Sequence, residues 1–397
     1  MKKIRDLKED INVVRFNIVD MIFIVVIFSL ISIIITTFTI KHNKLNKPSN
    51  TIDEAYNQIV NNYYQDVNRD ELANSAIYGM MNYLNEKYSV YMNDNQMNIL
   101  NDELDGTYKG IGVIAEQKKD GIYVYNVFKN SPADKAGMRI GDKLLKVDEI
   151  DATTTPLADV VSYIQSHDDI SFILSRDNEE VIVNVTTTNI DNPVVNSKLL
   201  TDDNNNYGYI YLESFSGASS TQFRNALDEL EKNDIKGLII DLRSNKGGYI
   251  EQASNIANMF IKEGKKLYSY KEKNKEIDII DTTSEERSYP IVVIVNSTTA
   301  SSSELLTMAL KESYGALTVG VKTYGKGRTQ EITKLSDNAN IKYTTGLWYS
   351  PNHNNIDGVG IKPSYIVDLN KEYYKNPIDK NDNQLAKALS ILIKLNK

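Results

Sequence analysis

Cysteine is absent from the 397 residues, and histidine occurs only three times. Without cysteine the chain has no disulfide, no thiolate metal site and no thiol nucleophile. His42, His167 and His353 stand far apart in unrelated contexts, so a zinc site drawing on two or three of them is not expected. An excess of positive charge is missing too. The net charge is -8; residues 1–40 carry five basic and four acidic side chains, a net +1, which leaves -9 for the remainder. An acidic body argues against binding nucleic acid through a broad basic face. No metal or cofactor is expected. The rest of the composition is that of a globular protein, 41% apolar and 25% charged, and the length has room for two or three domains.

What is present begins with an uncharged run, residues 21–40, MIFIVVIFSLISIIITTFTI. As a helix, ~20 residues would span ~30 Å, the thickness of a bilayer's hydrocarbon core. A buried core helix is the weaker reading, because the run is apolar on all sides. A cleaved signal peptide is the stronger rival, but the run is long for that and no small-x-small site follows it. Lys2, Lys3, Arg5, Lys8 and Arg15 precede it, against Lys41, Lys44 and Lys47 behind it. That bias predicts residues 1–20 in the cytoplasm, a transmembrane helix over 21–40 and the body outside the cell membrane. Residues 41–50 are polar, contain Pro48 and read as a linker. Helical spacing dominates 51–102, with Tyr56, Ile59, Val60 and Tyr63 on one face and Leu72, Ala76, Ile77, Met80 and Leu84 on another.

From Gly106 the texture changes to short alternating runs that predict five or six strands and two short helices. Residues 110–113, Gly110-Ile111-Gly112-Val113, form a glycine turn whose successive backbone N–H groups can cradle a chain-terminal carboxylate. Ser131-Pro132-Ala133, then Ala136-Gly137 and Gly141-Asp142, follow it. Together these resemble a PDZ domain over 103–187, with Gly110, Ile111, Gly112 and Val113 in the place of its carboxylate-binding loop.

From Tyr207 strands and helices alternate. Residues 237–242 are nearly all apolar, as in a fully buried strand. Helices are expected over 220–233 and 249–261, a solvated charged excursion over 262–286, closing strands over 341–349 and 358–368, and a last amphipathic helix over 384–396.

The densest chemistry lies in 291–330, IVVIVNSTTASSSELLTMALKESYGALTVGVKTYGKGRTQ. One apolar run ends in a hydroxyl-rich turn that opens a helix. A second leads to Tyr324-Gly325-Lys326-Gly327. A serine hydroxyl is a poor nucleophile until a base takes its proton; with histidine scarce, lysine is the natural base if burial lowers its pKa. By composition Ser301, Ser302 and Ser303 are all candidates. Ser301 begins the turn into the helix, where the Ser302 N–H can point at an oxyanion, and the turn at Gly247-Gly248 can supply a second donor. Gln330, four residues after Lys326 in an extended segment, can accept a hydrogen from the amine. Glu304 reads as a first-turn carboxylate favoured by the helix dipole. Ser301 as an ordinary helix N-cap is the plain alternative. Gly320-x4-Gly325-Lys326 half-imitates a P-loop, but that motif needs Ser or Thr after the lysine and then a helix; Gly327 and a strand-like segment follow instead.

In this order, GMMNYLNEKYSVYM, GTYKGIGV, SPADKAG, LRSNKGG, TASSSELL and TYGKGRTQ resemble the carboxy-terminal processing peptidases, the tail-specific serine endopeptidases of family S41. The resemblance runs from about residue 55 to the C-terminus. It implies a multidomain protein in which the PDZ-like β-rich module precedes an α/β core (crotonase/ClpP-like) over 188–372, with 373–397 as a C-terminal helix packing on the core or a partner subunit. It also implies Ser301 as nucleophile, Lys326 as base, Gln330 as its partner, and Gly247 and Ser302 as oxyanion donors. Protein or peptide C-terminal tails would be the partners, and self-association is common in such enzymes. Ser302 stands where alanine is common, Lys246 where proline often is, and Lys322 adds a second cation near Lys326. The rival is a membrane-anchored tail-binding scaffold that keeps the fold without the activity; the complete Ser/Lys/Gln set speaks against it.

Overall fold

The structure, a computed structural model, describes residues 17–44, 48–202, 205–336 and 339–397. The chain divides into two compact units, residues 1–85 and 86–397.

The first unit is helical: Ile18–Lys44, Pro48–Asn62 and Arg69–Tyr83. Asn68 starts the third helix by accepting from the Asp70 and Glu71 N–H groups, which supplies the orphan donors of a helix start. The expected linker is narrower than 41–50, since 41–44 and 48–50 are helical; its centre, 45–47, lies outside the described residues, as do residues 1–16. The expected transmembrane helix gains no support. Among the described residues no helix is long and apolar enough to cross a membrane. Residues 21–40 do fall within Ile18–Lys44.

The second unit opens with strand Val90–Met92, which pairs antiparallel with Ala339–Tyr349. The helical prefix expected through residue 102 is therefore interrupted: a strand of the core, Val90–Met92, stands ahead of the helix Asp94–Asp105. Strands Thr107–Gly110 and Thr188–Asp191 pair and form the stem of the PDZ module. Its sheet runs Val113–Lys118, Gly121–Val127, Lys143–Val147, Asp169–Arg176, Glu179–Thr186, with Ile150–Asp151 beside the third. Alternate residues such as Ile122, Val124, Ile170, Phe172 and Leu174 are buried, and helices Pro132–Lys135 and Leu157–Ser166 complete the module.

The core sheet has the order Val195–Asp202, Asn205–Leu212, Ile235–Asp241, Ile291–Val295, Leu317–Gly320, Tyr365–Ile366. Its first pair is antiparallel and the rest are parallel. Both faces are covered, which is why its central strands read as unbroken apolar runs. On one side Phe223, Leu227, Ile256, Phe260, Leu305 and Leu306 pack on Ile210, Leu238, Ile240 and Val293. On the other, Leu385, Ala388, Ile391 and Leu392 of Asn383–Leu395 meet Ile239, Val292, Ile294 and Val319. The C-terminal helix thus packs on the core of its own chain.

Helix Ser302–Ala309 is buried on every side. Two expectations change here. The charged stretch 262–286 is not a loop: Lys266–Glu272 and Glu276–Ile280 form a hairpin paired to Ala339–Tyr349. Leu267, Tyr268 and Ser269 form a buried run in the first strand, and Ile277 and Ile279 alternate with exposed residues in the second, so local pattern decided where composition misled. Of the strand expected over 358–368 only Tyr365–Ile366 forms.

Candidate active site

Three loops leave the carboxyl ends of neighbouring parallel strands: 242–249 after Ile235–Asp241, 296–301 after Ile291–Val295, and 321–327 after Leu317–Gly320. Open parallel sheets place ligand sites at this end. Ser301 ends the second loop, with φ 58° and ψ −121°. An ordinary N-cap residue is extended. A serine held at positive φ is strained, and such strain collects at functional sites.

Glu304 holds this turn to the lysine loop. Its carboxylate, 0% exposed, accepts from the Ser301 N–H (3.0 Å) and the Lys326 N–H (2.9 Å) on one oxygen. The other oxygen accepts from the Gly325 N–H (2.8 Å) and the Thr323 hydroxyl. One atom thus bridges the backbones of Ser301 and Lys326. Burial pushes the Glu304 pKa up, opposed by the bonds from Thr323, Lys326, Gly325 and Ser301. All four acceptor directions of the carboxylate are occupied, and that arrangement suits the ionised form. The S-x-x-E spacing of a capping box was visible in the sequence; the link to Lys326 was not.

Lys326 is half-buried. Burial holds its pKa below the ordinary lysine value, helped by the Lys342 charge and opposed by Tyr324 and Glu86. Its ammonium makes no ion pair among the described residues; it lies over the Tyr88 ring, 4.9 Å from the centroid. The flanking glycines admit backbone rather than substrate: a Cβ at Gly325 would stand 2.7 Å from the Gly360 nitrogen, and one at Gly327 2.7 Å from that of Asp357. Trp348 Nε1 donates to the Lys326 carbonyl (3.1 Å) and fixes the turn. Lys322 is exposed. Gln330 is close by, but no hydrogen bond joins it to the Lys326 amine among the described residues; its amide donates to the Tyr88 carbonyl (2.9 Å).

The first loop turns on Asn245, which is fully buried and was not singled out in the sequence. Its side chain donates to the Leu212 carbonyl and accepts the Gly247 N–H (2.9 Å each). Its carbonyl accepts from the Ala300 N–H and the Ser303 hydroxyl (3.0 Å each). Gly247, at φ +102°, lies against Ser301: a Cβ there would stand 2.8 Å from the Ser301 Cβ and 3.1 Å from the Ser302 nitrogen. With the Gly247 N–H given to Asn245, the N–H groups of Ser302 and Gly248 beside it have no partner among the described residues. The Ser302 hydroxyl donates to the Gly248 carbonyl (2.8 Å) and so ties the two donors together. Ser303 points away, toward Asn245.

Arg243, left without a role by the sequence, is buried between Asp241 and Asp382 (2.5 and 2.7 Å) and reaches Gln384. It ties the end of the central strand to the start of the C-terminal helix.

In the PDZ module, Gly112 sits at φ +80°, where a Cβ would stand 2.3 Å from that of Ser131. Ser131 caps Pro132–Lys135, and the Ala133 N–H donates to the Ile111 carbonyl (2.9 Å). The SPADKAG run is thus the support behind the glycine turn. The N–H groups of Ile111 and Gly112 have no partner among the described residues. Strand Val113–Lys118, which continues from Val113, is the edge of its sheet. Between it and Leu157–Ser166 lies a cavity of about 110 Å³ lined by Ile111, Val113, Leu144, Leu157, Val161 and Phe172.

Comparison with known proteins agrees with this layout. Residues 206–367 match the profile of peptidase family S41, residues 110–187 that of the PDZ domain, and residues 35–96 that of the N-terminal domain of the activating protease CtpB. The carboxy-terminal processing protease CtpA of Bacillus subtilis (strain 168) is 32% identical over 85% of this chain and 71% of its own. CtpB of the same organism is 30% identical over 88% of this chain and 75% of its own. A solved photosystem II D1 C-terminal processing protease shares the fold, with a TM-score of 0.50 at 23% identity over 81% of this chain and 87% of that one. The chain belongs to the carboxy-terminal processing proteases, serine peptidases of family S41 that carry a PDZ domain.

Proposed function

We propose that this protease cleaves proteins with a Ser301–Lys326 dyad after its PDZ module has taken hold of their free C-terminal tails. The observation that carries the dyad is the single Glu304 oxygen shared by the Ser301 and Lys326 backbones. Ser301 Oγ attacks the peptide carbonyl while the neutral Lys326 amine takes its proton. The developing oxyanion is met by the Ser302 N–H, with Gly248 as the second donor in place of Gly247. Lys326 then gives its proton to the leaving amine, an acyl-Ser301 remains, and the amine activates the water that hydrolyses it. Gln330 serves by holding the segment that faces the amine.

Tail capture rests on the unpartnered N–H groups of Ile111 and Gly112, the open edge of Val113–Lys118 and the apolar cavity beside it. Such a site takes a carboxylate on the turn, an extended backbone on the edge and an apolar last side chain in the cavity. Paired peptides ending in the same apolar residue, one with a free carboxylate and one amidated, test this. Amidation is expected to raise KM at least tenfold with little change in kcat; equal KM values would remove the module from substrate capture.

The chain also fits a membrane-tethered enzyme whose catalytic part lies outside the cytoplasm. Support comes from the charge-free run 21–40 and the basic bias ahead of it, with Phe23, Phe28 and Ile34 exposed in Ile18–Lys44. The protein is expected to stay with membranes through alkaline carbonate extraction, and its body to be digested by protease added outside intact cells. Release by carbonate would reject the tether.

A further inference from the structure

The segment just ahead of the first core strand, residues 86–89, lies against the lysine. It is fixed at several points. Glu86 pairs with Arg328 (2.6 Å) and accepts from the Thr344 hydroxyl (2.6 Å). Ser89, buried, bonds to Glu86 and accepts the Thr344 N–H (3.1 Å). The Tyr88 carbonyl accepts the Gln330 amide (2.9 Å). Strand Val90–Met92 then continues into the sheet. With the backbone clamped on both sides, the Tyr88 ring is held over the Lys326 amine, 4.9 Å from centroid to nitrogen. Lys87 Nζ meets the Tyr324 hydroxyl at 2.5 Å.

We propose that Tyr88 is a positioning residue for catalysis, the wall that keeps water from the Lys326 amine and holds the amine on its working side. The proposal rests on the reading of Lys326 as the base. A ring face has two opposed effects on an amine: its quadrupole attracts the ammonium form, and its bulk removes the water that would solvate that form. Burial is the largest influence on Lys326, and its direction is downward, the direction in which a covering ring acts by excluding water. The charged and titratable groups around the amine are Glu86, Lys87 and Tyr88 from this segment, Tyr324 from its own loop, Arg328 beyond it and Lys342 from Ala339–Tyr349. Glu86, whose attraction would favour the ammonium, is engaged by Ser89, Thr344 and Arg328.

The role also accounts for Gln330. Its amide reaches the amine only through Tyr88: it holds the carbonyl of the residue whose ring covers Lys326.

The test measures the titration of Lys326 twice on the full-length protein. The pH dependence of kcat/KM supplies one value; pH-dependent acylation of Lys326 by an amine-reactive reagent, quantified by mass spectrometry, supplies the other without reference to activity. In Tyr88→Ala both are expected to move up by about one pH unit as water reaches the amine, so that kcat/KM falls about tenfold below the limb. Tyr88→Phe, which keeps the ring, is expected to titrate where the wild type does. Gln330→Ala, which frees the carbonyl, should shift the same way by a smaller amount and decides the matter if the alanine variant at Tyr88 does not fold. A labelling midpoint that stays put in folded Tyr88→Ala, or in Gln330→Ala should that variant not fold, overturns the proposal. A labelling midpoint that moves while the rate limb does not would instead reject Lys326 as the base.

Discussion

Ser301→Ala and Lys326→Met are each expected to lower kcat by about 10⁴-fold or more, and the double variant to be no worse than either alone, because a nucleophile and its base act as one unit. Lys326→Arg should be as inactive as the methionine variant, although it keeps charge and length. A guanidinium does not give up its proton in a protein, and the mechanism requires the neutral base. The sign of the pH dependence follows. Burial and the Lys342 charge hold the Lys326 pKa below 10.5, so kcat/KM climbs as pH rises through that lowered value. The same displacement sets a stability effect of opposite use. A lysine with a depressed folded pKa contributes stability fully only above the unfolded value of 10.5. That contribution is lost as pH falls through the folded value. At neutral pH the amine therefore weighs on the fold, and Lys326→Met is expected to melt at a higher temperature than the wild type while doing no chemistry. A steady-state assay on an unstructured tail-bearing protein and a melting curve at pH 7 check both halves. Substantial residual turnover in Lys326→Met would give the base to another group.

Much of this could be read from the residues, and what could not shares a physical cause. The strands Ile235–Asp241 and Ile291–Val295 are buried on both faces, so they appear as apolar runs whatever lies above them. The serine at a strand-to-helix turn and the lysine between glycines are local patterns. By contrast, the hairpin of Lys266–Glu272 and Glu276–Ile280 carries charge on its outward residues, and composition hid the alternation beneath it. The partner of Gln330 could not be read at all: 242 residues separate it from Tyr88, and a backbone carbonyl leaves no mark in a sequence. The partner of the Gly247 N–H was hidden in the same way. A glycine pair was legible, but which of its two N–H groups Asn245 would claim depends on one side-chain rotamer. Glu304 was half legible. Its spacing from Ser301 follows from the helix, and its bonds to Thr323, Gly325 and Lys326 follow from the tertiary fold.

That carboxylate gives the second large effect. Glu304→Ala leaves four donors facing a cavity: the N–H groups of Ser301, Gly325 and Lys326 and the Thr323 hydroxyl. Each unsatisfied donor costs ~1–3 kcal/mol. Water entering the cavity recovers part of this, so the net loss is set at about 3–5 kcal/mol, the range for breaking a buried charged network. The catalytic loss is separate. Among the described residues nothing else ties Ser301 N to Lys326 N through a single atom, and a shift of ~1 Å between reacting groups costs about 10²-fold in rate. Glu304→Gln separates the two losses. Its amide keeps the volume and one accepting oxygen, so it should recover much of the stability. Its NH2 group, however, must face either the Ser301 and Lys326 pair or the Thr323 and Gly325 pair, and both pairs are donors. Only the first orientation parts the serine from the lysine, yet the second frees the loop that carries the lysine, so kcat falls in either case. The burial that raises the Glu304 pKa adds a pH signature. A carboxyl with a raised folded pKa contributes stability that is present below 4.5 and lost as pH rises through the folded value; Glu304→Gln removes that dependence. Folded Glu304→Gln with wild-type kcat would mean that the shared oxygen is scaffolding alone and that the serine and lysine are held in register by other contacts.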